Sequence, residues 1–187
     1  FFHDLPRVSQ ILPIPRRFEA KGLRRYGFHG LSYQYVQSAF AKEAGDKAVN
    51  GRVIYAHLGS GASLTATNNG QPIDTTMGFS PTSGIVMSSR TGDIDAGLVG
   101  YLLQVEGLSA TAFTHMINYE SGLVGVSELS ADMYTLLQNE ETNPHAAEAV
   151  SHDPDELLRE YARLQRDAQG VRDQLKAMLS ESLGARV

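Results

Sequence analysis

The 187-residue chain contains no cysteine. That excludes a disulfide framework and any thiolate metal site, and it fits a reducing, cytoplasmic setting. No apolar run approaches the roughly 20 residues that a membrane-spanning helix needs. Basic charge is also scarce, with 16 Lys and Arg against 21 Asp and Glu and a formal net charge of −5. A nucleic-acid surface is therefore not expected, and neither nucleic acid nor membrane is an expected partner. The chain does not open on Met, and Phe1-Phe2-His3-Asp4 lacks the basic head and apolar middle of a signal peptide, so it reads as an internal fragment. There is no His-Glu-x-x-His motif, and His3, His115, His145 and His152 have no ligand-like spacing, so no protein metal site is expected. No internal repeat is visible. What is present is 42% hydrophobic and 20% charged residues, enough for the core of a soluble globular protein of one domain or slightly more.

Along the chain, Pro6, Pro13 and Pro15 disfavour a long helix before Arg16, and a short helix is expected from Arg16 to Ala20. Leu31 to Ala44 predicts a helix with Leu31, Val36, Phe40 and Ala41 on its packed face and Gly45 as its stop. Arg52 to His57, Ser63 to Thr67 and Gln71 to Thr75 read as three strands, the last two joined by a tight Asn68-Asn69-Gly70 turn. A loop from Gly78 to Gly92 precedes a helix marked by Ile94, Leu98, Val99, Leu102 and Leu103, with Asp93 or Asp95 as its cap. Ser109 begins another helix, using Phe113, Met116 and Ile117 and ending near Gly122, and Ser130 is expected to cap a third that runs towards Leu137. The class is α/β. From Asp153-Pro154-Asp155-Glu156 a long helix is expected, with Leu157, Tyr161, Leu164, Ala168, Val171, Leu175 and Met178 at heptad spacing. It can cover a core or pair with another helix.

Three segments have the composition of phosphate sites. In Arg24-Arg25-Tyr26-Gly27-Phe28-His29-Gly30-Leu31-Ser32, a histidine between two glycines stands just ahead of a helix, where it can meet an anion or be held by a backbone hydrogen bond. The two arginines alone read as a solvated face. His57-Leu58-Gly59-Ser60-Gly61-Ala62-Ser63 is a glycine-rich turn whose amides phosphate oxygens can approach, with Ser60 and Ser63 offering hydroxyls. It is neither a Walker loop, since no Gly-Lys-Ser/Thr follows, nor a Rossmann fingerprint, since a strand follows it. In Met87-Ser88-Ser89-Arg90-Thr91-Gly92-Asp93-Ile94-Asp95, the guanidinium can hold phosphate oxygens or pair with Asp93 or Asp95. Asp74 can lie near the same site or close a strand end, and the structural role is expected.

In this order, Arg25-Tyr26-Gly27-Phe28-His29-Gly30, His57-Leu58-Gly59-Ser60-Gly61, Asp74 to Pro81, Arg90-Thr91-Gly92-Asp93-Ile94-Asp95 and Ser121 to Ser127 resemble the acetate kinase family from Phe1 to about Val150. The resemblance implies part of a ribonuclease H-like domain of the acetate and sugar kinase, heat-shock-70 and actin type, with residues 151–187 as a helical tail outside the match. It implies reversible transfer of a phosphoryl group between ATP and acetate, giving ADP and acetyl phosphate, with Mg2+, in a cytoplasmic homodimer. His29 and Arg90 would be the transition-state stabilisers. His57, Leu58, Gly59, Ser60 and Gly61 would bind the ATP phosphates, and Asp132, Met133 and Tyr134 would lie against the nucleoside.

Departures from the family pattern are also visible. Ser60 stands where asparagine is usual, Tyr33 where a second histidine is common, and Tyr134 where arginine is common. The family's catalytic aspartate, its magnesium-placing asparagine, its carboxylate-holding arginine and its adenine loop do not occur in these residues, so the isolated chain is expected to be inactive. A non-catalytic binding or self-association module, or a propionate or butyrate kinase, are the alternatives.

Overall fold

A computed structural model describes residues 5–150, all within the first of the two units, 1–150 and 151–187, into which the chain divides. The heptad helix expected from Pro154 and the opening Phe1 to Asp4 lie outside the described residues. The element order is α1 (Arg7–Gln10), a 3₁₀ turn (Arg16–Lys21), α2 (Gly30–Ala44), α3 (Asp46–Val49), strands β1 (Arg52–Leu58), β2 (Ala62–Asn68) and β3 (Gln71–Thr75), then α4 (Ala96–Gln104), α5 (Ala110–Tyr119), α6 (Gly122–Ser127), α7 (Met133–Asn139) and α8 (Pro144–Val150).

The three strands form an antiparallel meander in the order β1-β2-β3. The β2–β3 turn is as short as Asn69-Gly70 predicts: both residues have positive φ, 50° and 69°, so Asn68 can pair directly with Gln71. A bulge follows, because Thr67 pairs with Pro72 whereas Ala66 pairs with Asp74, leaving Ile73 as the extra residue. Proline is tolerated there because β3 is an edge strand.

Register decides which side chains share a face. Val53, Tyr55 and His57 pair with Thr67, Thr65 and Ser63, and these six project to one side of the sheet. Helix α2 covers that side, packing on β1 and burying Tyr33 against Tyr55, with Phe40 and Val53 around them. The packed face of α2 is therefore Gly30, Tyr33, Gln37, Phe40 and Ala41: Phe40 and Ala41 lie on it as expected, whereas Leu31, 73% exposed, and Val36 do not. A 3.6-residue period allows either phase when apolar residues are sparse. Buried threonines beneath the helix and the Gln37 side chain, which donates to the Gly70 carbonyl at 2.8 Å, decide between them.

Other boundaries shift for local reasons. Asp95 caps α4, accepting from the Leu98 amide at 3.0 Å, while Asp93 instead accepts from the Gly84 amide. Ser109 caps α5 as expected, accepting from Ala112. Helix α5 ends at Tyr119, near Gly122 as expected, but Gly122 itself opens α6, and Asp132, not Ser130, caps α7.

Arg24 and Arg25 are not a solvated face. Arg24 lies over the Tyr26 ring at 4.8 Å and donates to Gln10. Arg25 donates to Asp74 at 2.9 Å, to the Ser9 carbonyl at 3.2 Å and to the Thr75 carbonyl, tying the N-terminal segment to the end of β3. Asp74 thus closes a strand end, as expected. Because the Arg25 side chain is only 23% exposed, Arg25→Met leaves two carbonyls without their charged donor and should cost about 1.5–3 kcal/mol. Asp74→Asn, at a 59% exposed carboxylate, should cost no more than about 1 kcal/mol. Urea midpoints of the two variants check the ranking.

Candidate functional site

Three loop ends converge at the N-terminal turn of α2. His29 precedes the helix with φ 61° and ψ 20°, a left-handed conformation uncommon for a residue with a side chain, and its carbonyl still accepts the first helical bond from Tyr33. One helical turn onward, Ser32 and Tyr33 fall at i+3 and i+4 and so hang over the same patch of sheet. That patch is the His57–Ser63 pair, the last inward-facing pair before the β1–β2 turn.

The result is a compact polar cluster. The His29 and His57 rings stack with centroids 3.8 Å apart and planes 18° apart. His29 Nδ1 meets Ser63 Oγ at 2.8 Å, Ser63 Oγ also meets the Tyr33 hydroxyl, and His57 Nδ1 meets Ser32 Oγ at 2.9 Å. Each imidazole is held through Nδ1, which leaves Nε2 as its outward nitrogen. Serine 63 is fully buried and committed to these two partners, so it is not the phosphate-facing hydroxyl its motif suggested. Ser60, by contrast, is exposed.

Gly61 lies where the donors meet. A Cβ on Gly61 would sit 3.2 Å from Arg90 Nη1 and 3.5 Å from His29 Nε2, so the bare backbone approaches both. A methyl at Gly59 would be 3.4 Å from His57 Nε2. Arg90 enters from the loop between β3 and α4. Its Nη1 donates to the Pro81 carbonyl at 3.2 Å and contacts Met87 Sδ at 3.8 Å. Among the described residues it forms no ion pair, so the pairing with Asp93 or Asp95 does not occur.

What gathers the three motifs is an apolar cluster that uses one residue beside each of them. Ala62, Met77 and Met87 are buried together, with Phe28 and Ile85 packed against them. Phe28 adjoins His29, Ala62 adjoins Gly61, and Met87 lies in the turn of Arg90. Burying these side chains, at about 1.5–3 kcal/mol for each large one, holds the polar residues where they cannot hold themselves.

The Arg90 turn is fastened from its other side as well. The Met87 amide donates to the Arg90 carbonyl at 3.1 Å, the Leu123 and Val124 amides donate to the carbonyls of Met87 and Ser88, and the Ser88 amide reaches the Ser60 carbonyl at 3.3 Å. Thus the first free amides of α6 are spent on the loop backbone. Gly122 makes that contact: with φ 64°, its missing Cβ would lie 2.1 Å from the Met87 carbonyl oxygen and 2.7 Å from that of Arg90. Reading the residues one by one gave Gly122 no role here, because glycine near a helix end has a common local explanation.

Asp132, Met133 and Tyr134 are placed elsewhere. The Asp132 carboxylate caps α7 by accepting from the Thr135 amide and hydroxyl, which holds its pKa below the ordinary 3.8, and Tyr134 is 70% exposed. Helix α7 packs on α8, and no hydrogen bond or ion pair joins it to the His29 cluster among the described residues.

The electrostatics favour an uncharged His29. Burial, then the nearby His57 and Arg90 charges, lower its pKa from the ordinary 6.5. In this window the unfolded chain binds the proton that the folded chain refuses, so stability is full above about pH 6.5 and falls as pH drops through the lowered folded value. Denaturant midpoints of the chain should therefore decline on acidification below that point, and His29→Gln should flatten the decline.

A neutral imidazole and a guanidinium that meet beside Gly61 form a site an anion can enter. A family model described as the Acetokinase family matches residues 1–163. The acetate kinase of Rhodopseudomonas palustris (strain TIE-1) is 45% identical over 150 residues, covering 80% of this chain and 37% of that protein. A propionate kinase of Yersinia enterocolitica is 41% identical over 133 residues, or 71% of this chain and 32% of that one. The crystal structure of Porphyromonas gingivalis acetate kinase superposes with a TM-score of 0.76 at 36% identity, over 80% of this chain and 38% of that chain. The chain spans well under half the length of these relatives.

Proposed function

The chain belongs to the acetokinase family, and from that premise we propose that it carries the phosphate-handling part of an ATP-dependent carboxylate kinase. The reaction is a direct in-line displacement. A carboxylate oxygen of acetate or a similar short-chain acid bonds to the γ-phosphorus of ATP while the bond from that phosphorus to the β,γ-bridging oxygen breaks, giving an acyl phosphate and ADP. Charge spreads over the three equatorial phosphoryl oxygens, so positioned donors supply most of the catalysis.

Two donors suit that task. Arg90 brings a permanent charge, and His29 brings a ring whose outward nitrogen lies within reach of the same point beside Gly61. The observation that carries the reading is the convergence of His29 and Arg90 on Gly61, with His57 stacked on His29 and its Nε2 beside Gly59. Within the loop, His57, Leu58, Gly59, Ser60 and Gly61 would follow the ATP phosphates, and Asp132, Met133 and Tyr134 would meet the nucleoside. Phosphate oxygens fit the donor set. Among the described residues no cluster of three or more His, Cys, Asp or Glu side chains occurs, so magnesium, when bound, would be held chiefly by the ATP phosphates and would neutralise their charge.

The acceptor-binding and nucleophile-orienting groups are not among the donors gathered at Gly61. The isolated chain should therefore bind nucleotide without robust turnover. Calorimetric titration with ADP plus aluminium fluoride, a planar mimic of the phosphoryl group in flight, tests the site: Arg90→Ala should weaken binding of the mimic by about 10-fold or more while ADP alone is held nearly as before. Equal affinity for the mimic in the parent chain, Arg90→Ala and His29→Ala would remove the site from the reading. A hydroxamate trap for acyl phosphate, run with acetate and propionate on an enzyme carrying this segment, assigns the acid. Light scattering tests the homodimer that the reading includes.

A further inference from the structure

We infer that Tyr33 is a positioning residue that, through Ser63, fixes His29 in the tautomer carrying its proton on Nε2; the inference rests on the role proposed above for His29. The Tyr33 hydroxyl, Ser63 Oγ and His29 Nδ1 form a continuous chain, with Tyr33 1% and Ser63 0% exposed, so bulk water does not compete for these bonds. Two proton arrangements satisfy it. In one, the phenol donates to Ser63 and the Ser63 hydroxyl donates to Nδ1, which places the imidazole proton on Nε2. In the other, Nδ1–H donates to Ser63 and Ser63 donates to the phenol oxygen, which leaves a lone pair on Nε2.

Acidity chooses between them. A phenol is the strongest hydroxyl donor of the three groups and imidazole nitrogen the strongest base, so the first arrangement joins the best donor to the best acceptor through serine. The second uses a phenol oxygen, whose lone pair is delocalised into the ring, as terminal acceptor. Burial raises the Tyr33 pKa above the ordinary 10.0, so the phenol keeps its proton at neutral pH. Only the first arrangement turns a donor towards Gly61. A lone pair at Nε2 would repel the phosphoryl oxygen that Arg90 attracts.

Backbone geometry supports the same assignment. The left-handed φ of His29 brings its ring over the sheet, and Tyr33, at i+4, is the α2 side chain that reaches Ser63. The His57 ring is anchored through Ser32, so the two stacked rings are held by different hydroxyls, while the Tyr33 oxygen also bonds the His57 backbone.

The test is the imidazole nitrogen spectrum of the chain labelled with 15N-histidine at pH 7.5, where pyrrole-type and pyridine-type nitrogens are well separated. His29→Gln identifies the signals. The expected parent spectrum has Nε2 pyrrole-like and Nδ1 pyridine-like. Tyr33→Phe, and separately Ser63→Ala, should move both nitrogens towards intermediate shifts as the ring samples two tautomers. A pyrrole-like Nδ1 in the parent overturns the inference, as does an unchanged His29 pattern in both variants. Should either variant fail to fold, by circular dichroism, the parent spectrum decides the direction of the chain without it. Nucleotide binding is scored apart: absence of ADP binding with the expected tautomer would sink the phosphoryl-transfer reading and leave the Tyr33 assignment standing.

Discussion

Replacing Gly122 with alanine should destabilise the protein by about 3–5 kcal/mol, a large share of the roughly 5–15 kcal/mol that holds a typical domain together. Two costs combine. The residue has φ 64°, where a side chain is strained, and its Cβ would overlap three backbone atoms of the Arg90 turn, the nearest at 2.1 Å. Backbone atoms cannot rotate away as a side-chain tip can. Relief requires α6 to withdraw, which breaks the bonds from the Leu123 and Val124 amides to Met87 and Ser88. Urea denaturation measures the loss. Gly61→Ala is the control: the atoms nearest its Cβ would be the flexible tip of Arg90 at 3.2 Å and the His29 ring at an ordinary 3.5 Å, so stability should change by less than about 1 kcal/mol while ADP binding weakens. A Gly122→Ala variant as stable as the parent would show that the α6 contact with the turn is not what holds Arg90.

Arg90→Ala should lower kcat by about 100- to 1,000-fold in an enzyme carrying this segment, with a smaller change in the KM for ATP. The asymmetry follows from where the charge develops. In the ground state the γ-phosphoryl group shares its charge with the rest of the nucleotide and other donors hold it, whereas in flight its oxygens depend on the groups beside Gly61. Arg90→Lys should recover only part of the rate, because an ammonium lacks the planar fork. His29→Ala should act in the same direction with a smaller loss, since a neutral donor is worth less than a charged one. If kcat is unchanged and only KM rises, Arg90 is a ground-state binding residue and its transition-state role fails.

The two effects share a cause. Arg90 sits on a stretch with no regular element between β3 and α4, so its position is set entirely by what that stretch touches. Its supports include the Met77 and Met87 cluster, the Asp93 carboxylate and amide bonded to Gly84, the bonds of Ser89 and Thr91 to the end of α5, and the α6 terminus at Gly122. Removing one support should reach the chemistry without touching the guanidinium.

Much of the local structure was legible in the residues alone. Asn69-Gly70 required a two-residue turn, the strands on either side followed from it, and Gly45, Ser109 and the pair Asp93 and Asp95, of which the structure selects Asp95, marked helix ends by chemistry confined to a few neighbours. The family was legible too, because its motifs are short contiguous strings whose order survives without coordinates. Tertiary structure alone decided that His29, Gly61 and Arg90 meet at one point, that α2 buries Tyr33 rather than Leu31, that Ser63 faces inward to His29, and that Gly122 is there for the Arg90 turn. Each of those depends on partners about 30 to 60 positions apart. A turn or a cap is an energy minimum of a few adjacent residues, whereas a site made from three loops exists only when an apolar cluster has closed them on one another.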